Sequence, residues 1–365
     1  MTVRRATIAD VARAAGVSPS TASVVFSGKT PVSDATRQKV IAAAEQLGYT
    51  GPDPRAASLR RGRSGIVGVV FEGPLGSAFL DPVQRLMMDG LTAAVAPIGA
   101  GLLLLHETSA YGSAAGATGA EVTAPTLVTA PIDAAVLIGC SPVLRESLEV
   151  VRARGIPVVV IEGDAGDGVP QIALDNRDAQ AHAADHLRRL GHTRVAVVTL
   201  PRDKNRVPGW HRPDDAITVD VTRDRLAGAR DVYPDAPAFA ATSSSIDGGF
   251  EAGRALFADP LNRPTAVIAQ SDLLAAGVIR AAEDAGLRVP EDVSVTGFDG
   301  VPVDGLAPYE LTTLVQAATE KGRAAGAAVA AMLDDREPAS VLLTCEFRLG
   351  NTTGPVPAEH GAAGA

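Results

Sequence analysis

The feature that most constrains this chain is a change of period near Ser64. Before it, apolar residues recur three and four apart, as on one face of a helix. After it, short β-branched runs alternate with helical stretches. The predicted strands are Gly65–Phe71, Gly101–His106, Ala134–Ile138, Pro157–Ile161, Gln171–Leu174, Val195–Leu200, Ala238–Thr242, Ala266–Ala269 and Val293–Phe298. Predicted helices between them include Pro82–Ala96, Arg177–Leu190, Gly248–Phe257 and Ser271–Ala285. Strand–helix alternation of this kind implies parallel, doubly wound sheets. The stretch is too long for one small sheet, so two lobes are expected, divided in chain order near Ala173–Asp178.

Residues 7–49 predict three helices. Thr7 precedes a helical face made by Ile8, Val11, Ala12 and Ala15, and Gly16 ends the run. Ser18-Pro19 starts a second helix that runs to Phe26, ended by Ser27-Gly28. Ser33 caps a third, with Val40, Ala43, Ala44 and Leu47 inward. Gly16 supplies the positive φ of a tight turn, and Val17 plugs the angle between the first two helices. The pattern fits either a plain helical hairpin or a helix-turn-helix, whose second helix would enter the major groove of DNA. Residues 1–50 form the headpiece, 51–64 a linker, 65–350 the core, and 351–365 a Pro/Gly/Ala-rich tail expected to fray.

Charge divides the chain at the same place. Ten Lys and Arg against four Asp and Glu before Ser64 give that end +6. That leaves −15 on the rest of a chain whose net charge is −9. A basic end on an acidic body fits either a solvated charged face or a first segment that alone meets a polyanion. The longest apolar runs, such as Gly101–Leu105 and Ile156–Ile161, fall far short of a membrane span. No apolar leader follows Met1, so a cytoplasmic, nucleoid-associated protein is expected. Cys140 and Cys345 form no spaced pair, which argues against a zinc site or a disulfide framework.

The stretch from Thr7-Ile-Ala-Asp-Val-Ala through Gly16-Val-Ser-Pro-Ser-Thr-Ala-Ser, then Pro31-Val-Ser-Asp-Ala-Thr-Arg and Leu47-Gly-Tyr, resembles the LacI/GalR family of bacterial transcriptional regulators. The likeness continues in Gly191-His-Thr-Arg-Val, Arg225-Leu-Ala-Gly, Val289-Pro-Glu-Asp-Val-Ser-Val-Thr-Gly-Phe-Asp and Leu311-Thr-Thr-Leu-Val-Gln. It implies an all-α helix-turn-helix headpiece plus an α/β core of two doubly wound parallel-sheet lobes, periplasmic-binding-protein-like. The implied function is a repressor that binds a palindromic operator on double-stranded DNA as a homodimer, under control of a small effector. Candidate DNA contacts are Thr7, Pro19, Ser20, Thr21, Ser23, Val24, Ser27, Thr36, Ala57 and Leu59. The hinge Arg55-Ala-Ala-Ser-Leu59-Arg is one residue farther from Tyr49 than the commonest form. Its Leu59 is the wedge for the minor groove. Val24 stands where the family often has Arg or His, and Ser27 where it has Asn, which predicts a different operator preference.

Candidate effector contacts are Phe79, Glu162, Arg225, Asp272 and Asp299, which sit in loops or helix starts after predicted strands. Carboxylates and a guanidinium in one cleft suit the hydroxyls of a sugar or sugar derivative. Ser271-Asp272 replaces the family's Asn-Asp, and Thr242-Ser-Ser-Ser245 replaces a stacking aromatic, so a polar pocket is expected. Loop 201–222, with Trp210 and His211, is a candidate lid. His182 and His186 are spaced i, i+4, but no third ligand accompanies them, and neither a metal nor a cofactor is expected. No catalytic constellation is legible. A solute-binding protein or a sugar-modifying enzyme is the alternative reading. The tail carries no leucine heptad, which favours a dimer over a tetramer.

Overall fold

The computed structural model describes residues 6–27, 30–51, 62–71, 79–106, 127–139 and 144–357. Two compact units result, 1–65 and 66–365.

In the first unit, helices α1 (Ile8–Ala15), α2 (Pro19–Ser27) and α3 (Asp34–Gln46) enclose a small core. The Asp10 N–H donates to Thr7 Oγ1, and the Thr7 N–H donates to Asp10 Oδ2 at 3.0 Å. This reciprocal capping box fixes the start of α1. Gly16 ends it at φ 66°. Ser18 and Ser33 accept from the Thr21 and Thr36 N–H groups and so start α2 and α3. Val11, Ala12, Ala22, Val25, Val40, Ala43 and Ala44 are buried together, with Val17 packed against them. Leu47, expected inside, is 41% exposed. Tyr49 takes that role instead, edge-on to Phe26 with ring centroids 5.3 Å apart. An aromatic ring past the helix end can reach back across the core, where Leu47 on the helix cannot turn.

The second unit has strands β1 (Ile66–Phe71), β2 (Gly101–His106), β3 (Ala134–Ile138), β4 (Val158–Ile161) and β5 (Gln171–Leu174) in one lobe. Strands β6 (Val195–Thr199), β7 (Gly209–Trp210), β8 (Ala238–Ala240), β9 (Ala266–Ala269) and β10 (Ser294–Thr296) build the other. Helices α4 (Pro82–Val95), α5 (Leu144–Ala153), α6 (Asn176–Arg189), α7 (Asp220–Val232), α8 (Ile246–Phe257) and α9 (Asp272–Asp284) connect them. The chain ends in β11 (Thr313–Val315), α10 (Ala318–Leu333), β12 (Val341–Leu343) and β13 (Glu346–Arg348). The sheet orders are β12-β5-β4-β3-β1-β2 and β10-β9-β6-β8-β7. Both are parallel apart from β7, which pairs antiparallel with β8.

The lobes do not divide in chain order. The chain leaves the first lobe after β5, returns with α10 and β12, and leaves again into β13, which pairs with β11. A sequence reading cannot see this, because α10 and β12 have ordinary patterns and only their partners betray the lobe. Gly322 in α10 lets that helix lie against α4; a Cβ there would fall 1.9 Å from the Met87 carbonyl oxygen. The tail expected to fray is anchored over 351–357. Thr352 is buried, its hydroxyl donates to the Val295 carbonyl at 2.7 Å, and the Val356 N–H donates to Leu190. Residues 358–365 lie outside the described ones.

Gly322→Ala is therefore expected to force α10 off α4 and to cost about 3 kcal/mol of stability. Urea unfolding of the full chain measures it; an unchanged midpoint would show that the close approach is not needed.

Candidate functional site

In the first unit, α2 turns Ala22 and Val25 inward and leaves Ser20 and Ser27 exposed, with Thr21, Ser23 and Val24 half-buried. A three-residue alternation of small inward and polar outward side chains gives one free helix face. Pro19 and Thr7 are exposed beside it, and Thr36 is half-buried at the start of α3. The candidate contacts Ala57 and Leu59 lie outside the described residues.

In the second unit, strand ends from both lobes open on a cavity of about 180 Å³. Glu162 follows β4 at φ 52° and Asp299 follows β10 at φ 122°, both left-handed conformations unusual for a side chain with a Cβ. Gly139 makes room for the first, since a Cβ there would lie 1.2 Å from the Glu162 carbonyl oxygen. Arg225 sits in the second turn of α7, which begins at Asp220, earlier than expected from the sequence. Its guanidinium lies 3.5 Å from the centroid of the Phe298 ring.

Six side chains form a closed circuit. Arg225 Nε donates to Asn176 Oδ1 at 2.7 Å, and Asn176 Nδ2 donates to Glu162 Oε1 at 3.0 Å. Lys321 Nζ donates to Glu162 Oε2 and to Gln316 Oε1. Gln316 Nε2 donates to Asp299 Oδ1 at 2.6 Å, and Arg225 Nη1 lies 3.7 Å from that same oxygen. Burial pushes the Glu162 carboxyl up, but Lys321 and Arg225 beside it outweigh burial and hold it down at about 2. Asp299 moves the other way. Burial lifts it well above the usual carboxylate range, Asp272 and Asp81 add to the lift, and Arg225 opposes it.

Glu162, Arg225 and Asp299, all expected from the sequence, line the cavity together. Asp272 and Phe79 do not. Asp272 is fully buried behind the wall; it accepts from the Val301 N–H at 2.8 Å and from Thr313 Oγ1, and burial lifts its carboxyl to about 6. It holds the loop that carries Asp299. Phe79 is 52% exposed. Ser243, Ser244 and Ser271 make a hydroxyl wall where an aromatic was missing from the sequence. Loop 201–222 contributes Pro201, Arg206, Val219 and Val221. Its Gly209-Trp210 joins the second sheet as an edge strand, so part of the candidate lid is fixed to the lobe.

Sequence reasoning missed Lys321, Gln316, Asn176, Gln84 and Asp81 in this region. Lys321 was the legible one: a lysine among the small residues Gly322, Ala324, Ala325 and Gly326 has no business on an inward helix face without a partner. His182 and His186 instead pack on Phe347, with ring centroids 5.0 Å apart in each case. Among the described residues no group of His, Cys, Asp and Glu is arranged to hold a metal ion. None of their helices is long and apolar enough to cross a membrane.

The Glu162 carboxyl has a folded value below its unfolded value of 4.5. Its contribution to stability is therefore complete above about pH 5 and fades as pH falls toward 2, and amounts to something on the order of 3 kcal/mol. Glu162→Gln should thus be less stable than the parent at pH 7, with the gap closing on acidification. Urea unfolding at several pH values reads it, and a gap that does not depend on pH would contradict the ionised state of Glu162.

Comparison with known proteins agrees with this architecture. The family model described as bacterial regulatory proteins, lacI family, matches residues 7–51, and a periplasmic binding protein-like domain matches residues 184–353. An HTH-type transcriptional regulator of Mycobacterium tuberculosis is 33% identical over 96% of this chain and 98% of its own. The ribose operon repressor of Escherichia coli is 30% identical over 88% of this chain and 91% of its own. A crystal structure of the lac repressor dimer bound to operator and an anti-inducer shares the fold, with a TM-score of 0.74, at 21% identity over 96% of this chain and 100% of that one. The chain belongs to the lacI family of bacterial regulatory proteins and is a DNA-binding transcriptional regulator.

Proposed function

We propose that this regulator is a repressor that binds a palindromic operator as a homodimer and releases or grips it in response to a small, polar, polyhydroxylated effector such as a sugar. The cavity carries the effector half of this reading. Its acceptors are Glu162, Asp299 and Gln84 Oε1, a buried atom with no partner among the described residues. Its donors are Arg225 and Lys321, and Ser243, Ser244 and Ser271 serve as either. A sugar hydroxyl both donates and accepts, so donors and acceptors set side by side suit several of them at once. Among the described lining residues, cations (Arg206, Arg225, Lys321) and carboxyl groups (Asp81, Glu162, Asp299) stand beside the hydroxyls, which suits a polar ligand. Among the described lining residues there is no aromatic ring, which disfavours a stacked purine or aryl group. The relative named for the ribose operon supports a sugar.

At the other end, Ser20, Thr21, Ser23, Val24 and Ser27 on the free face of α2 meet base edges and phosphates. Pro19, Thr7 and Thr36 flank them, and Ala57 and Leu59 belong to the hinge segment. Val24 contacts a thymine methyl in place of a guanine-directed arginine. The protein acts in the cytoplasm.

The test is selection of binding sites from random DNA, followed by anisotropy titrations with D-ribose, D-glucose, D-galactose and myo-inositol. A palindromic site is expected, with affinity falling about 10³-fold or more between 50 and 200 mM salt. Failure to enrich any site would sink the operator reading. Asp299→Ala should abolish the response of DNA binding to the active sugar while circular dichroism shows an intact core; a fully responsive variant would remove Asp299 from the effector site. Leu59→Ala should weaken binding to the selected site at least tenfold, as expected of a lost minor-groove wedge.

A further inference from the structure

We propose that Lys321 is a positioning residue for the effector: its ammonium orients Glu162 and Gln316, and through Gln316 also Asp299, into one fixed array of acceptors for ligand hydroxyls. The inference rests on the effector reading above and names the residue that sets its specificity.

Lys321 is 1% exposed and projects from α10. A lysine so deeply buried is rare unless paired, because its charge has been taken out of water. Here two of its three N–H bonds go to Glu162 Oε2 and Gln316 Oε1. Among the described residues the third has no partner, and the side chain lines the cavity. One ammonium therefore fixes two acceptors that belong to different parts of the fold. Glu162 follows β4 of the first lobe, whereas Gln316 follows β11 and hydrogen-bonds Asp299 of the second.

The consequence is directional. An amide can present either its oxygen or its nitrogen. With Lys321 on Gln316 Oε1, the Gln316 amide nitrogen must face Asp299 Oδ1. That leaves Asp299 Oδ2 for the ligand. Glu162 has one oxygen engaged by Asn176 and the other by Lys321, so its remaining lone pairs sit at defined places. Without the lysine, Gln316 is free to flip and Glu162 loses its nearest cation. The array that distinguishes one arrangement of hydroxyls from another then loosens. A packing role alone predicts none of this, since a methionine of similar length fills the same space.

The experiment uses the full chain in four forms: parent, Lys321→Met, Glu162→Gln and the double variant. Urea unfolding at pH 7 should show the Lys321→Met unfolding constant raised about 100-fold or more, because an uncompensated carboxylate is left buried. The double variant should recover most of that loss. Equal losses in the single and double variants would overturn the proposal, because Lys321 would then act only as filler. In the second arm, thermal shift is read with D-ribose, D-glucose, D-galactose and myo-inositol. Whichever compound stabilises the parent should bind the double variant at least tenfold more weakly, although that variant is folded. Unchanged affinity there would also overturn the proposal. Should none of the four stabilise the parent, the sugar reading fails for these probes, while the unfolding arm still decides the role of Lys321.

Discussion

A buried circuit of charge and amide groups is the interaction on which the core depends. Arg225, Asn176, Glu162, Lys321, Gln316 and Asp299 satisfy one another in the cleft between two lobes. Each charge would be costly there alone. Together they convert that cost into geometry, because every member is held by two others. The same arrangement explains why neighbouring carboxylates behave oppositely. Glu162 touches the lysine and stays ionised, while Asp299 shares its surroundings with Asp272 and Asp81 and binds its proton more tightly. Two carboxylates with different proton affinities give a ligand two different kinds of partner.

Topology makes this circuit possible. Glu162 and Asp299 sit at the carboxyl ends of strands in different sheets, where doubly wound folds open their crevices. The three crossings of the chain between lobes pass beside that crevice. Asn176 begins the helix after the first crossing, and Gln316 immediately precedes the return into α10. Residues at crossings are the natural place for a side chain that must answer to both lobes. A change in the angle between lobes has to stretch or exchange bonds of this circuit. A ligand held in this cavity would meet the same bonds that any lobe movement must alter.

Legibility from the sequence followed the range of the information needed. The apolar face of α1, its stop at Gly16 and the start of α2 after Ser18 are set within a few positions, and all stood as read. Nine strands of the two sheets were legible because β-branched runs bounded by helices have few other uses, whereas β7 and β12 were not read. Leu47 misled, since helical spacing puts it inward while only the path of the following turn decides that Tyr49 covers the core. The tail misled in the same way: its composition reads as loose, yet Thr352 completes bonds to β10 that no local pattern announces. Asp272 was read as an effector contact and proved a support behind the wall, because which side a carboxylate takes depends on Thr313, forty-one positions away.

What the sequence determined by itself was the kind of machine: a basic three-helix end with one free helix face, joined to an acidic α/β core. Helix period, caps and charge are local or additive properties, and so they can be read along the chain. What only the tertiary structure decided was the company each polar side chain keeps. Lys321 and Glu162 are 159 positions apart and meet because α10 returns to the first lobe. A buried charge is tolerable only where its partner already waits, and the partner's place is fixed by chain crossings that leave no mark on the local sequence.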